Sequence, residues 1–369
     1  MHSHNRGEIW LCLGGGNALG AYHAGAYRAL HETRTSIGRI SGASIGAIIG
    51  AIIAGNRYED RLERLDEFWR VASETYTIAN VYPHWPTTKI AASLGTLVFG
   101  RPGVFHPAPG QWLRRLFGLD SPSLFDRGDL RKTLNRLIDF DRLNGGEIRL
   151  LANAVDVRTG EEIVFDSDAD TLTADHLMAT SAFPVLYSPE TVGERTFADG
   201  GLASNLPILP LFREIPARPI TCLAFDLVSP QGSIPSSLDE SLRRAQELLL
   251  SIQSKRTLQL LRSDFDKHAA SARLLHVFYH GKGEVGGMTM EYSAYSMRKR
   301  YEAGYRDGIR SMEWMAREPV QQGLTIDWLG DDARTEHEGS QPGTTPGRQV
   351  YSEDRLSPQT KSRRAPAVC

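Results

Sequence analysis

The 369-residue chain is short of cysteine, of long apolar runs and of any charge excess. Its cysteines are Cys12, Cys222 and Cys369. Two lie inside strand-like apolar runs and the third is the last residue. That leaves no disulfide framework and no metal-ligand spacing, and it fits a reducing compartment. The longest small-apolar stretch, Ala43 to Ala54, falls far below the roughly 20 residues of a helical membrane span. The opening residues, Met1 to Glu8, are polar and lack the apolar core of a secretory signal. A cytoplasmic protein is therefore expected, with any membrane contact peripheral. The 42 Lys and Arg residues face 44 Asp and Glu, a formal net charge of −2, so there is no electrostatic case for nucleic acid as a partner. The 11 histidines stand outside any catalytic or metal motif, and no aspartate-rich loop of EF-hand form occurs. No metal and no organic cofactor is implied.

What is present is an ordinary globular composition, 41% hydrophobic and 23% charged. Ile9 to Leu13 is an apolar run ending in three glycines, which reads as a buried strand and a glycine turn. Helix-forming residues follow over Ala18 to Glu32, then a second strand over Ile37 to Ser41 and a helix to about Ala54. Further helices are expected over Arg61–Ala72, Leu130–Ile138, Ala174–Thr180, Leu238–Phe265 and Ser293–Ala316. Ile148–Val157 and Glu162–Phe165 flank Arg158-Thr159-Gly160 as a hairpin. Thr221–Val228 and Leu274–Tyr279 read as further strands. This alternation predicts an α/β fold, a mostly parallel central sheet covered by helices on both faces. The segment 76–127 is rich in Pro, Gly and aromatics, among them Tyr82, Trp85, Phe99, Trp112 and Phe117. It reads either as a lid or cap or as plain connecting structure. From Asp331 to Cys369 the apolar periodicity vanishes, which predicts a disordered tail.

Three short motifs suggest chemistry. Gly42-Ala43-Ser44-Ile45-Gly46 fits G-x-S-x-G between a strand and a helix. A serine on so tight a turn projects its hydroxyl away from the sheet, and flanking side chains must be nearly absent. A glycine-rich turn opening a closely packed helix would show the same residues. Gly14-Gly15-Gly16-Asn17-Ala18-Leu19-Gly20 joins the first strand to the first helix. Its free N–H groups suit an oxyanion or a phosphate. It lacks the Gly-Lys-Ser/Thr of a nucleotide loop, and its glycine spacing departs from the dinucleotide fingerprint. Asp199-Gly200-Gly201 follows a strand end and reads as an exposed turn. A carboxylate there could serve Ser44 as base if held within hydrogen-bond reach.

In this order the motifs resemble those of the patatin-like phospholipases, lipid acyl hydrolases with a Ser–Asp dyad and no histidine. The similarity covers about Glu8 to Pro210 and includes Ser181-Ala182-Phe183-Pro184 and Asn205-Leu206-Pro207. The resemblance implies Ser44 as nucleophile and Asp199 as base. It implies Gly15 and Gly16, with Asn17 beside them, as the oxyanion hole, and a lipid or acyl ester as substrate. It sets an acyl-hydrolase domain over 8–330, with 215–330 less typical of the family. Two positions depart from the family loop. Asn17 replaces its third glycine and Leu19 its basic residue, which removes a charge that could help an anionic headgroup.

Three other readings compete. One is an α/β-hydrolase with a histidine triad, and another is a phosphate-binding βαβ unit. The third is a lipid-surface module without catalysis. With the dyad kept, the substrate could instead be a soluble carboxylester, a thioester or an intracellular polyester. For access, Tyr76–Phe125 and the helix over Tyr292–Trp314 could line an apolar groove. That helix mixes Arg298, Lys299, Arg300, Arg306 and Arg310 with aromatics. This suits either an anionic membrane surface or a domain helix with inward-facing rings.

Overall fold

Glu8–Leu13 form β1, and its side chains alternate between two cores. Leu11 and Leu13 join one apolar cluster, Trp10 and Cys12 the other. A strand buried on both faces needs apolar residues at every position, which is why this run is continuously hydrophobic. The computed structural model describes residues 8–74, 85–107, 123–214, 218–265, 271–317 and 323–330. The tail expected over 331–369 lies outside these residues, as do Tyr82, Trp112 and Phe117 of the aromatic insertion.

After β1 come a 3₁₀ turn (Asn17–Gly20), α1 (Ala21–Glu32), β2 (Ile37–Gly42), α2 (Ile45–Ala54), α3 (Arg61–Ser73) and α4 (Pro86–Phe99). They are followed by β3 (His106–Pro107), β4 (Ser123–Asp126), α5 (Gly128–Leu137), α6 (Phe140–Gly145), β5 (Arg149–Asp156) and β6 (Glu162–Asp166). Next are α7 (Ala174–Thr180), β7 (Val185–Tyr187), β8 (Glu190–Val192), β9 (Arg195–Asp199) and β10 (Ile220–Asp226). Last come α8 (Leu238–Phe265), β11 (Ser271–Phe278), α9 (Ala294–Arg317) and β12 (Gly323–Leu329).

The main sheet runs β12-β11-β10-β1-β2-β5-β9-β8, with β6 also on β5. From β12 to β5 every pairing is parallel, whereas the β5–β6, β5–β9 and β9–β8 pairings are antiparallel. The fold is thus α/β with a mainly parallel sheet. Residues of α1, α2 and α3 pack on one face, and Leu258, Leu261 and Phe265 of α8 pack on the other. A small second sheet, β3-β4-β7, was not apparent from the sequence, because its strands are only two to four residues long.

Helix α9 packs into the domain along one face, while Arg298, Lys299 and Arg306 on it stay exposed. It meets α1 backbone to backbone. A Cβ on Gly304 would lie 1.9 Å from the Tyr22 carbonyl oxygen, and one on Gly25 would lie 1.9 Å from that of Tyr301. Arg300 is fully buried. It is paired with Glu284 at 2.7 Å and donates to the carbonyls of Ala18, Met288 and Glu291. It therefore tethers α9 to the turn that follows the glycine loop. Among the described residues no helix is long and apolar enough to cross a membrane.

Candidate active site

Three chain segments meet at the carboxyl ends of β1, β2 and β9. In an open parallel sheet this is where helix N-termini and loops converge and where ligand crevices form. Ser44 lies between β2 and α2 with φ 53° and ψ −123°. A non-glycine residue held there stores about 1–3 kcal/mol of strain, and its surroundings enforce the turn. A Cβ on Gly46 would lie 2.0 Å from the Leu13 carbonyl oxygen, and one on Gly42 would lie 2.5 Å from the Ala47 nitrogen. Both positions therefore exclude side chains, as the motif reading requires.

The glycine loop is stapled to its neighbours. The Gly14 N–H donates to the Phe225 carbonyl and the Gly15 N–H to the Asn205 carbonyl, each at 3.0 Å. The Asn205 side chain returns a bond to the Gly15 carbonyl at 3.1 Å. This corrects the expected oxyanion set. The Gly15 N–H is committed within the protein, because Gly15 is where the loop is anchored. Among the described residues the N–H groups of Gly16 and Asn17 have no acceptor. Asn17 takes a left-handed φ of 53°, a conformation asparagine tolerates well. Its side chain accepts from the Tyr292 hydroxyl and approaches the Met290 sulfur at 3.4 Å. Gly20 packs against Ile45 at the start of α2.

His23 sits under this loop, fully buried, with its ring Nε2 2.8 Å from the Gly14 carbonyl. Burial drives its pKa down to about 4, so it is neutral and donates to that carbonyl.

Asp199 ends β9 and is 3% exposed. Its carboxylate accepts from the Gly201 N–H at 2.7 Å, and the Ser44 hydroxyl lies close enough to act on it electrostatically. Burial raises its pKa to about 6, against the lowering effects of the nearby Ser44 hydroxyl, the Gly201 N–H and the Arg127 guanidinium. The exposed turn expected at Asp199-Gly200-Gly201 is in fact buried. Asn153 takes the place of water there, donating to the carbonyls of Gly200 (3.0 Å) and Ser204 (2.9 Å). A side chain on Gly200 would collide with the Asn153 carbonyl.

Several neighbours escaped the sequence reading. The Ser44 N–H faces the Thr180 hydroxyl at 3.4 Å, and the Asp199 N–H donates to the Ala182 carbonyl at 3.0 Å. Ser181 accepts from the buried Arg127 at 2.9 Å. Asn153, Thr180 and Arg127 carry no motif of their own. Only the tertiary fold shows what they touch.

Ser44 and Asp199 open into a cavity of about 660 Å³. Ile45, Ile48, Ile90 and Leu130 make much of its wall, and Gly16, Asn17, Gly201 and Asn205 line its polar end. At its rim Leu94, Leu97, Phe183, Val185, Leu242 and Leu249 face both the cavity and solvent. Geometrically, then, a hydroxyl, a buried carboxylate and two unpaired amides share the end of an apolar channel. Such a set can transfer a proton and hold an oxyanion.

A family model described as patatin-like phospholipase matches residues 11–212, more than half of the chain. An uncharacterized NTE family protein of Mycobacterium tuberculosis is 28% identical over 211 residues, which is 55% of this chain and 45% of that protein. Patatin-like phospholipase domain-containing protein 6 of Homo sapiens is 39% identical over 61 residues, 16% of this chain and 4% of that protein. The chain thus spans about half the length, or less, of the curated relatives it matches. Among solved structures, VipD from Legionella pneumophila covers 84% of this chain and 67% of its own at 16% identity, with a TM-score of 0.43. ExoU of Pseudomonas aeruginosa, in complex with SpcU, covers 87% and 54% at 14% identity, with a TM-score of 0.36. On the family match, this chain belongs to the patatin-like phospholipases.

Proposed function

We propose that the protein is a serine acyl hydrolase that cleaves fatty-acyl esters of lipids, with Ser44 as nucleophile and Asp199 as general base. The observation that carries this reading is the placement of the Ser44 hydroxyl beside a buried carboxylate at the end of an apolar cavity. Asp199 takes the hydroxyl proton as Ser44 Oγ adds to the ester carbonyl carbon. The N–H groups of Gly16 and Asn17 hold the resulting oxyanion. When the tetrahedral species collapses, the C–O bond to the alcohol breaks and the alcohol leaves with the proton from Asp199. Water then adds to the acyl-enzyme and gives its proton to Asp199. The Ser44–acyl bond breaks, the serine regains the proton and the fatty acid departs.

A pKa near 6 suits a base working at neutral pH. A cavity of about 660 Å³ with an apolar wall suits an acyl chain. The exposed apolar rim supports peripheral contact with a lipid surface and favours a lipid over a small soluble carboxylester. α4, from the segment read as a lid or cap, supplies part of the rim, so we assign 85–107 to substrate access and 8–330 to one hydrolase domain.

Labelling with a fluorophosphonate probe tests the assignment. Wild type should react and Ser44→Ala should not. Equal labelling of the two would sink the proposal. Hydrolysis of a medium-chain p-nitrophenyl ester should rise above its micellar concentration. A flat profile would favour the soluble-ester alternative.

A further inference from the structure

The cavity wall contains three charged side chains among the described residues: Arg127, Asp199 and Asp239. Arg127 is therefore its one cation there, and it is 5% exposed. Its Nη1 donates to Ser181 at 2.9 Å, and its guanidinium lies 4.8 Å from the centre of the Tyr187 ring. Its Nη2 has no hydrogen-bond partner among the described residues. The Glu190 carboxylate stands 3.8 Å away and is itself hydrogen-bonded by Arg131. A buried guanidinium with an unused donor is costly in an apolar wall unless something charged completes it.

Its position indicates which part of a substrate it meets. Ser181 ties Arg127 to the strand of chain whose next residue, Ala182, accepts the Asp199 N–H. Arg127 therefore stands on the Asp199 side of Ser44. If Asp199 is the base, it also returns the proton to the departing alcohol, so the alcohol leaves on that side. The acyl chain takes the apolar wall instead. This inference rests on the reading of Ser44 and Asp199 as the reacting pair.

The geometry points to Arg127 as a specificity-determining residue that binds an anionic group on the leaving alcohol, a phosphate carried on glycerol. The loop position where the family has a basic residue is Leu19 here. Arg127, from the junction of β4 and α5, brings a positive charge to the same cavity from another element. A guanidinium matches a phosphate with two parallel N–H donors, which a lysine cannot do.

The test compares 1-acyl-glycerol 3-phosphate with 1-acyl-glycerol of the same chain, both below their micellar concentrations. Wild type should prefer the phosphate-bearing ester by about tenfold or more in kcat/KM, the range of a charge-assisted hydrogen-bond pair. Arg127→Gln should bring the ratio near one, and Arg127→Lys should restore part of it. No preference in wild type, or an equal loss on both esters in Arg127→Gln, would overturn the assignment. A second arm needs no variant: competition against p-nitrophenyl ester hydrolysis by wild type. Glycerol 3-phosphate should compete at least tenfold better than glycerol or inorganic phosphate. Equal competition by inorganic phosphate would overturn the link to the leaving alcohol. Failure of the underlying dyad looks different, because Ser44→Ala would then hydrolyse both esters like wild type.

Discussion

The two ends of the cavity are built on opposite principles. At the polar end nearly every group is pinned by backbone. The glycine loop is bonded to Phe225 and Asn205, the Asp199 turn is bonded to Asn153, and Ser44 is held in a strained turn by glycines that admit no side chain. At the rim, α4 and α8 present leucines to solvent, with Leu94 56% and Leu249 69% exposed. The polar end must reproduce one geometry to a fraction of an ångström, and backbone is the stiffest means of doing so. The rim has to accept chains of varied shape and needs only apolar area. Substitutions at the two ends should therefore fail in different ways.

The largest effect is expected from Asp199→Asn, which removes the proton acceptor and keeps the shape. Activity should fall about a thousandfold or more, the scale seen when a member of such a catalytic set is removed, while the fold persists. Residual activity within tenfold of wild type would exclude Asp199 as base. The same variant should be more stable at pH 8. In the folded protein the Asp199 pKa rises from an ordinary 3.8 to about 6. Its ionisation therefore destabilises the fold as pH rises through that window, and the full penalty is present above it. On the order of 3 kcal/mol is at stake. Thermal melts at pH 8 and pH 4 should show a gain at the first and little at the second.

Gly46→Ala comes next. Its Cβ would sit 2.0 Å from a backbone oxygen that cannot move without displacing β1. A loss of about 3 kcal/mol or more is expected by chemical denaturation, the scale of a severe overpacking change. A loss below 1 kcal/mol would show that the turn is softer than its contacts indicate.

The pH profile of kcat/KM on a neutral soluble ester should rise about tenfold per unit below pH 6 and level off above pH 7, following ionisation of Asp199. The smallest effect belongs to the rim. Leu94→Ser should reduce hydrolysis of vesicle phospholipid a few-fold and leave thermal stability within about 0.5 kcal/mol, as exposed substitutions generally do. An unchanged vesicle rate would remove Leu94 from lipid contact.

Much of the architecture was legible in the residue pattern. Ile9–Leu13 of β1 is apolar throughout and β10 nearly so, because both faces are covered, and α8 and α9 follow helical spacing to within a residue or two of their ends. The tight turn at Ser44 was readable because glycine is the one residue that fits at 42 and 46. Three points were not. Asp-Gly-Gly has the composition of a surface turn, and only Asn153, an interior residue distant in sequence, makes it a buried one. The Gly15 N–H looked free until Asn205 was seen to take it. The basic residues of α9 look alike in sequence, yet Arg300 is an internal tether whereas Arg298, Lys299 and Arg306 are exposed.

By itself the sequence determined where the turns must be tight and which stretches must be covered on both sides, because backbone sterics and burial of apolar surface act locally along the chain. Only the tertiary structure decided that a carboxylate at 199 lies beside a hydroxyl at 44, and that an arginine at 127 lines the same cavity. Distances between remote residues depend on how the whole sheet closes, and burial, which moves a pKa from 3.8 to about 6, belongs to the assembled surroundings rather than to the residue.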